Sequence, residues 1–261
     1  MKGAITDMNI TGNTILITGG GSGLGRGLAE AFHKRGNTVI IAGRRQQVLD
    51  EVVAANPGIV AMTLDVTSEQ AIAEFAAELT AKFPALNVLI NMAGIMKPEK
   101  VIDTRVAEDT IITNLLSPIR LTAALLPTLE KQKSATIMTV SSGLAFTPLA
   151  LTPTYSATKA AIHSWSQSLR YQLRGTSVEV LELAPPYVQT ELMGPGQKAD
   201  PRAMPLDAFI SEVMQILETQ PEAKEILVKN VYPLRFAGDF NVEKFDEWFD
   251  KFNAMLAAPH D

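Results

Sequence analysis

Hydrophobic residues in this chain follow two rhythms. Short, nearly unbroken apolar runs occur at Thr14–Thr18, Thr38–Ala42, Ile59–Leu64, Asn87–Ile90, Thr136–Val140 and Val178–Leu183. Between them lie longer segments whose apolar positions recur with helical spacing: Leu24–Arg35, Gln46–Ala55, Ser68–Phe83, Thr104–Gln132 and Ser156–Arg174. Runs apolar on both faces suit strands of a parallel sheet, and the periodic segments suit helices that cover it. Strand–helix alternation predicts an α/β class: a doubly wound parallel sheet, helices on both faces, right-handed crossovers.

The rhythm fails over residues 190–220, where Gly194, Pro195, Gly196, Pro201 and Pro205 precede a helix starting at Leu206. No second core is visible there. The chain is read as a single catalytic domain spanning 1–261, with that stretch as a substrate lid. Ile226–Val228 reads as a last short strand. The tail carries Phe236, Phe240, Phe245, Trp248, Phe249 and Phe252. Such an aromatic end is expected to pack on its own domain or on a neighbouring subunit.

Composition narrows the function classes. The 261 residues include no cysteine, which excludes disulfides and thiolate metal sites and fits a reducing compartment. His33, His163 and His260 have no metal-ligand spacing, so no metal site is expected. A net charge of -5, without a basic tail, argues against a nucleic-acid partner. The apolar stretch Ile111–Leu129 contains Asn114, Pro118, Arg120 and Pro127 and reads as a buried helix rather than a membrane span. The opening MKGAITDMNI lacks the apolar core of a secretory signal. The expectation is a cytoplasmic protein.

Two stretches carry candidate chemistry. After the first run comes TGGGSGLG, Thr18–Gly25. Gly19, Gly23 and Gly25 free the backbone of Cβ atoms at a sharp turn, and Gly21, Ser22 and Leu24 complete it. The following helix aims its N-terminus there and offers N–H groups to an anion such as a pyrophosphate. A bare turn is the bland alternative. The second stretch is TPTYSATKAAIHSW, in which Tyr155 and Lys159 fall four apart, on one helix face. They are either surface decoration or a phenol whose pKa of about 10 is lowered by an ammonium.

Jointly the motifs resemble the short-chain dehydrogenase/reductase family: Thr18-Gly19-x3-Gly23-x-Gly25, then Asn91-x-Ala93-Gly94, Asn114, Ser142 and Tyr155-x3-Lys159. The match covers about residues 12–190 and looks like the family's simple, short members. It implies a Rossmann-like fold and a nicotinamide cofactor. Tyr155 would move the proton, Ser142 would hold the substrate oxygen (Ser141 competes), and Lys159 would tune Tyr155 and bind the nicotinamide ribose. Asn114 would hold a relay water, although a simple kink or packing role stays open for it. Val66 would line the adenine and Asp65 would accept its amino group, with a turn cap the alternative for Asp65. Asn91, Ala93 and Gly94 would approach the cofactor ribose. Val188 and Thr190 would contact the nicotinamide amide and the phosphates. Met92 and Pro186 depart from the family's usual asparagine and glycine.

Where a ribose-binding acid is expected, the chain reads IIAGRRQQ, with Arg44 and Arg45 after Gly43. Arginines attract a 2′-phosphate that an acid would repel, which favours NADP(H) over NAD(H). A solvated helix start is the bland alternative. Candidate pocket residues are Leu144, Phe146, Leu149, Tyr187, Leu192 and Met193, nearly all apolar. They predict a small-molecule partner: a neutral, fairly hydrophobic ketone, aldehyde or secondary alcohol. The family resemblance implies a homodimer or homotetramer through the Leu115–Leu129 and Ala160–Leu173 faces, which read equally as sheet-facing core. The alternatives are an NAD(H)-dependent alcohol dehydrogenase using the same residues, or a non-catalytic dinucleotide-binding regulatory protein.

Overall fold

Side chains of the first strand leave it on alternate faces: Ile15 and Ile17 join one apolar core, Leu16 the other. The same split holds for Val39 and Ile41 against Ile40, and for Val88 and Ile90 against Leu89. A sheet apolar on both sides needs cover on both sides, and the helices supply it. The computed structural model describes residues 8–239 and 241–257; Phe240 and His260 lie outside the described residues.

The strands are β1 (Thr14–Thr18), β2 (Thr38–Gly43), β3 (Val60–Thr63), β4 (Val88–Asn91), β5 (Ala135–Val140), β6 (Val178–Leu183) and β7 (Glu225–Ile226). They form one sheet in the order β3-β2-β1-β4-β5-β6-β7, and each adjoining pair is parallel. The order reverses between β1 and β4, which opens a crevice at their carboxyl ends.

The helices are α1 (Gly23–His33), α2 (Gln46–Ala55), α3 (Glu69–Lys82), α4 (Thr104–Ile111), α5 (Ser117–Leu129), α6 (Pro153–Gln172), α7 (Pro195–Ala199), α8 (Leu206–Thr219), α9 (Tyr232–Arg235) and α10 (Val242–Ala257). One core takes Phe32 of α1, Leu49 of α2 and Phe209 of α8. The other takes Leu79 of α3, Leu125 of α5 and Leu169 of α6. A side chain as fully buried as Phe209 or Leu125 contributes about 1.5–3 kcal/mol.

Two expectations change. The segment expected as one helix over Thr104–Gln132 is interrupted by a π-helical turn, Ile112–Leu116. Pro118 has no N–H for the carbonyl of Asn114, the bond an α-helix would make there. Second, the stretch over residues 190–220 is not all lid. Its latter part is α8, with Phe209, Val213, Met214 and Leu217 buried in the core. Only the loop before Pro205 lies over the crevice. The aromatic tail, as expected, packs on its own chain: Phe252 is buried, and Trp248 Nε1 donates to Thr147 Oγ1 at 3.3 Å. By length and apolarity alone, Thr104–Leu129 is the one stretch among the described residues that reaches what a membrane crossing needs. Here Leu121, Leu125 and Leu129 are buried in the core instead.

Candidate active site

The crevice at the switch point is a cavity of about 500 Å³. Its floor is the glycine turn. Gly19 has φ +67°, and a Cβ there would sit 3.0 Å from Ala93 Cα. A Cβ on Gly25 would meet the Gly19 carbonyl oxygen. These positions therefore leave a bare backbone cradle facing the N-terminus of α1, where free N–H groups favour an anion. Thr18, buried at the end of β1, fixes the opposite wall. Its Oγ1 accepts from both Met92 N and Ala93 N at 3.0 Å.

At the rim, Arg44 and Arg45 line the cavity and are exposed. Arg44 lies close enough to Asp65 to help hold its carboxyl below the usual carboxylate range, though the larger causes are hydrogen bonds from Thr67 N and Oγ1. Asp65 thus caps a turn and stands outside the lining, while Val66 is part of it. Asn91 also turns away: its Nδ2 donates to Thr122 Oγ1 at 3.1 Å. Ala93, Gly94, Val188 and Thr190 line the cavity with Gly21, Ser22, Gly23 and Leu24.

Tyr155 and Lys159 enter the cavity from the first turns of α6. That helix begins with Pro153, and Thr152 supplies no side-chain cap. Glu99 reaches in from a distant loop instead: its carboxylate accepts from Thr154 N at 3.1 Å and Thr154 Oγ1 at 2.9 Å. An acid at a helix N-terminus satisfies an orphan donor and suits the dipole. Lys159 Nζ donates to the Val140 carbonyl at 2.8 Å and lies 5.5 Å from the centre of the Tyr155 ring. The Tyr155 hydroxyl faces Ser142, whose hydroxyl works to lower its pKa. Ser142 Oγ in turn accepts from Leu144 N at 3.1 Å. Ser141 also lines the cavity, and its buried hydroxyl has no partner among the described residues.

Burial dominates the electrostatics of the pair. Burial pushes the Tyr155 phenol up to about 12, and the Ser142 hydroxyl only moderates this. Desolvation of the phenolate is the largest cause. Burial also brings the Lys159 amine down to about 8, with the carboxylate of Glu182 opposing.

Asn114 sits in the π-helical turn. Its Oδ1 accepts from Ile95 N at 2.9 Å and its Nδ2 donates to Ile95 O at 2.8 Å. The side chain therefore pins the strand-to-loop backbone beside Gly94; it is not in the lining itself.

The expected substrate pocket is largely redrawn. Of its six residues only Leu192 lines the cavity. Phe146 packs on His163 at 4.7 Å and under Arg235 at 4.5 Å. Leu149 is buried, and Leu144 and Met193 also stand outside the lining. The Tyr187 hydroxyl donates to Asp200 Oδ2 at 2.9 Å, and burial is the main reason its pKa is pushed up to about 12. Ile95, Met96, Thr113, Pro185, Pro186 and Gln197 take the vacated places in the wall. Gln197 Nε2 donates to Val188 O at 2.8 Å and Thr190 Oγ1 at 3.0 Å, which folds the loop over the cavity. No spacing rule points to such tertiary contacts; the loop's proline and glycine content was the only sequence signal.

The short-chain dehydrogenase family model matches residues 13–200, and the chain belongs to that family of oxidoreductases. It is 42% identical to the uncharacterized oxidoreductase DltE of Bacillus subtilis (strain 168), over 95% of this chain and 99% of that one. A short-chain dehydrogenase from Streptomyces avermitilis is similar in structure, with TM-score 0.79, 26% identity, and coverage of 95% of this chain and 100% of that one. A serine dehydrogenase solved with NADP+ is also similar, with TM-score 0.73, 27% identity, and coverage of 81% and 91%.

Proposed function

We propose that the protein is an NADP(H)-dependent reductase of neutral, fairly hydrophobic ketones and aldehydes, running also in reverse on secondary alcohols. The observation that carries this reading is the buried Tyr155, which shares one cavity with Ser142 and Lys159 across from the glycine turn. The residues fit a dinucleotide: a glycine turn at the N-terminus of α1 whose backbone lines the cavity, an orphan serine hydroxyl in the wall, and two arginines at the rim. Gly19, Ser22, Gly23 and Leu24 would hold its pyrophosphate, Arg44 and Arg45 a 2′-phosphate, Lys159 its ribose, and Val188 and Thr190 its carboxamide. Similarity to a dehydrogenase solved with NADP+ supports the choice. When bound, the cofactor supplies or accepts hydride.

The chain's own residues handle the oxygen and its proton. Ser142 donates to the substrate oxygen and aligns it. Tyr155 remains protonated at neutral pH because its pKa lies near 12, so it is set to give its proton to an oxygen that gains charge. In carbonyl reduction that oxygen is the substrate's. Lys159, still cationic at pH 7, stabilises the phenolate left behind. Asn114 keeps the Gly94–Ile95 backbone in place. The loop before Pro205, closed by Gln197, is the lid that excludes water.

The test is a panel of carbonyl compounds read by NADPH absorbance, with NADH alongside. Activity is expected with NADPH and should fall about 10²–10⁴-fold in Tyr155→Phe. Better turnover with NADH would remove the arginine argument. Full activity in Tyr155→Phe would remove the mechanism. Tight NADPH binding with no turnover of any compound would favour a regulatory protein.

A further inference from the structure

The loop between the two proposed catalytic hydroxyls is gripped by a residue that the chemistry above does not use. Residues 143–152 join Ser142, at the end of β5, to the first turn of α6, where Tyr155 stands. At its start the loop closes on itself, since Phe146 N and Thr147 N both donate to Gly143 O. Near its end Glu99 N donates to Leu151 O at 2.8 Å, and the Glu99 carboxylate caps α6. Between these two stretches Asn253 of α10 reaches the loop from outside. Its Oδ1 accepts from Ala150 N at 2.6 Å, and its Nδ2 donates to Pro148 O at 3.2 Å. The same Nδ2 donates to Phe249 O, one turn back along α10, at 3.0 Å. A backbone N–H has to meet the amide oxygen and a carbonyl the amide nitrogen, so these partners fix which way round the side chain lies.

A clamp needs a fixed base, and α10 is one. Phe245, Trp248, Phe249 and Phe252 recur at helical spacing and none is exposed, whereas Asp246, Glu247, Asp250 and Lys251 are exposed. Trp248 adds its bond to Thr147, in the same loop that Asn253 holds. In the last turn, Met255 O accepts from Arg202 Nη1 at 3.1 Å, a cation placed where helix carbonyls lack partners. Arg202 belongs to the loop before Pro205 and pairs with Asp200 at 2.9 Å. The end of α10 is thus tied to the lid on one hand and to the loop between Ser142 and Tyr155 on the other. Asparagine is a weak helix former, so the use of Asn253 lies in these tertiary bonds. Asn114 does comparable work on the loop after β4, where it grips both the N–H and the carbonyl of Ile95.

We infer that Asn253 is a positioning residue: by clamping Pro148 and Ala150 it sets how the Tyr155 and Ser142 hydroxyls stand relative to one another. The inference rests on the function proposed above. Without the clamp the middle of the loop loses its outside anchor, and the entry of α6 can shift against the end of β5. Proton transfer depends on that spacing, whereas holding the nucleotide does not, because Pro148 and Ala150 stand outside the cavity lining.

The test separates kcat for carbonyl reduction from the Kd of NADPH, read by fluorescence titration. Asn253→Ala should lower kcat by about 10–10²-fold, the scale of a misplaced reacting group, and leave the NADPH Kd within about twofold. Asn253→Asp keeps an acceptor for Ala150 N and should regain part of the rate. Amide hydrogen exchange at Ala150 should quicken in Asn253→Ala and less so in Asn253→Asp, a readout independent of turnover. Melting curves confirm that each variant is folded at the assay temperature. A folded Asn253→Ala with the kcat of the wild type overturns the inference. Loss of NADPH affinity in step with kcat overturns it too, since that marks general loosening, as does equal kcat in the two variants. If Asn253→Ala does not fold, Asn253→Asp decides: a lower kcat at unchanged NADPH Kd supports the inference, and an unchanged kcat overturns it. A wild type that binds NADPH but reduces no carbonyl compound would instead sink the function, and the inference with it.

Discussion

Replacing Thr18 by valine keeps the shape of a side chain that is 2% exposed and removes one oxygen. That oxygen accepts two backbone hydrogens, from Met92 and Ala93, each at 3.0 Å. The two losses are unequal. Met92 N also donates to Ile90 O at 3.0 Å and keeps a partner, whereas no other backbone acceptor stands opposite Ala93 N. One donor is therefore orphaned, at a cost of about 1–3 kcal/mol. In a domain of this size each kcal/mol lowers Tm by roughly 2–4 °C, so Thr18→Val should melt about 2–12 °C early. Thr18→Ser retains the acceptor and should lose less. Because Ala93 lines the crevice, the KM for NADPH should rise in Thr18→Val as well. The measurements are urea and thermal unfolding of both variants. A Thr18→Val protein within about 0.5 kcal/mol of the wild type would show that this hydroxyl does not tie β1 to the loop after β4.

Carbonyl reduction should hold steady across neutral pH and decline above about 8, because the cationic form of Lys159 is the one depleted as pH rises; rate against pH reads this directly. Arg44→Ser should raise the KM for NADPH about tenfold or more and leave that for NADH nearly unchanged, since the lost partner is a phosphate only one of them carries. The Asp200 carboxyl is held well below the usual range, chiefly by hydrogen bonds from Arg202. A depressed carboxylate contributes stability above its unfolded pKa of about 3.9 that is lost as pH falls. Asp200→Asn should therefore lower Tm at neutral pH and show a shallower decline in Tm on acidification below about pH 4.

The sheet was legible because both faces are covered. Continuous apolar runs identify strands such as Thr14–Thr18 and Val178–Leu183 to the residue, and helix Gln46–Ala55 equally so. Tyr155, Lys159 and Ser142 were legible because four-residue helical spacing and strand-end position are local properties. What failed depended on distant partners. The Glu99 cap on α6 joins residues 55 positions apart. The rank of burial over charge at Tyr155 follows from packing that no spacing encodes. The pocket residues were chosen for apolarity in nearby loops, yet Phe146 found Arg235 and Tyr187 found Asp200. Asn114 holds Ile95 from a π-helical turn, wider than the helical period used to place it.

That wide turn has a genetic consequence. An α-helix rotates about 100° per residue, so the surplus residue within Ile112–Leu116 offsets the facing of everything after it. Upstream, α4 lies against α6; downstream, α5 lies against α3. Trimming one codon from this stretch would restore an even spiral but leave one of those two contacts pointing the wrong way. Single-residue deletions should therefore be tolerated far less here than in the exposed loop around Val101 and Ile102.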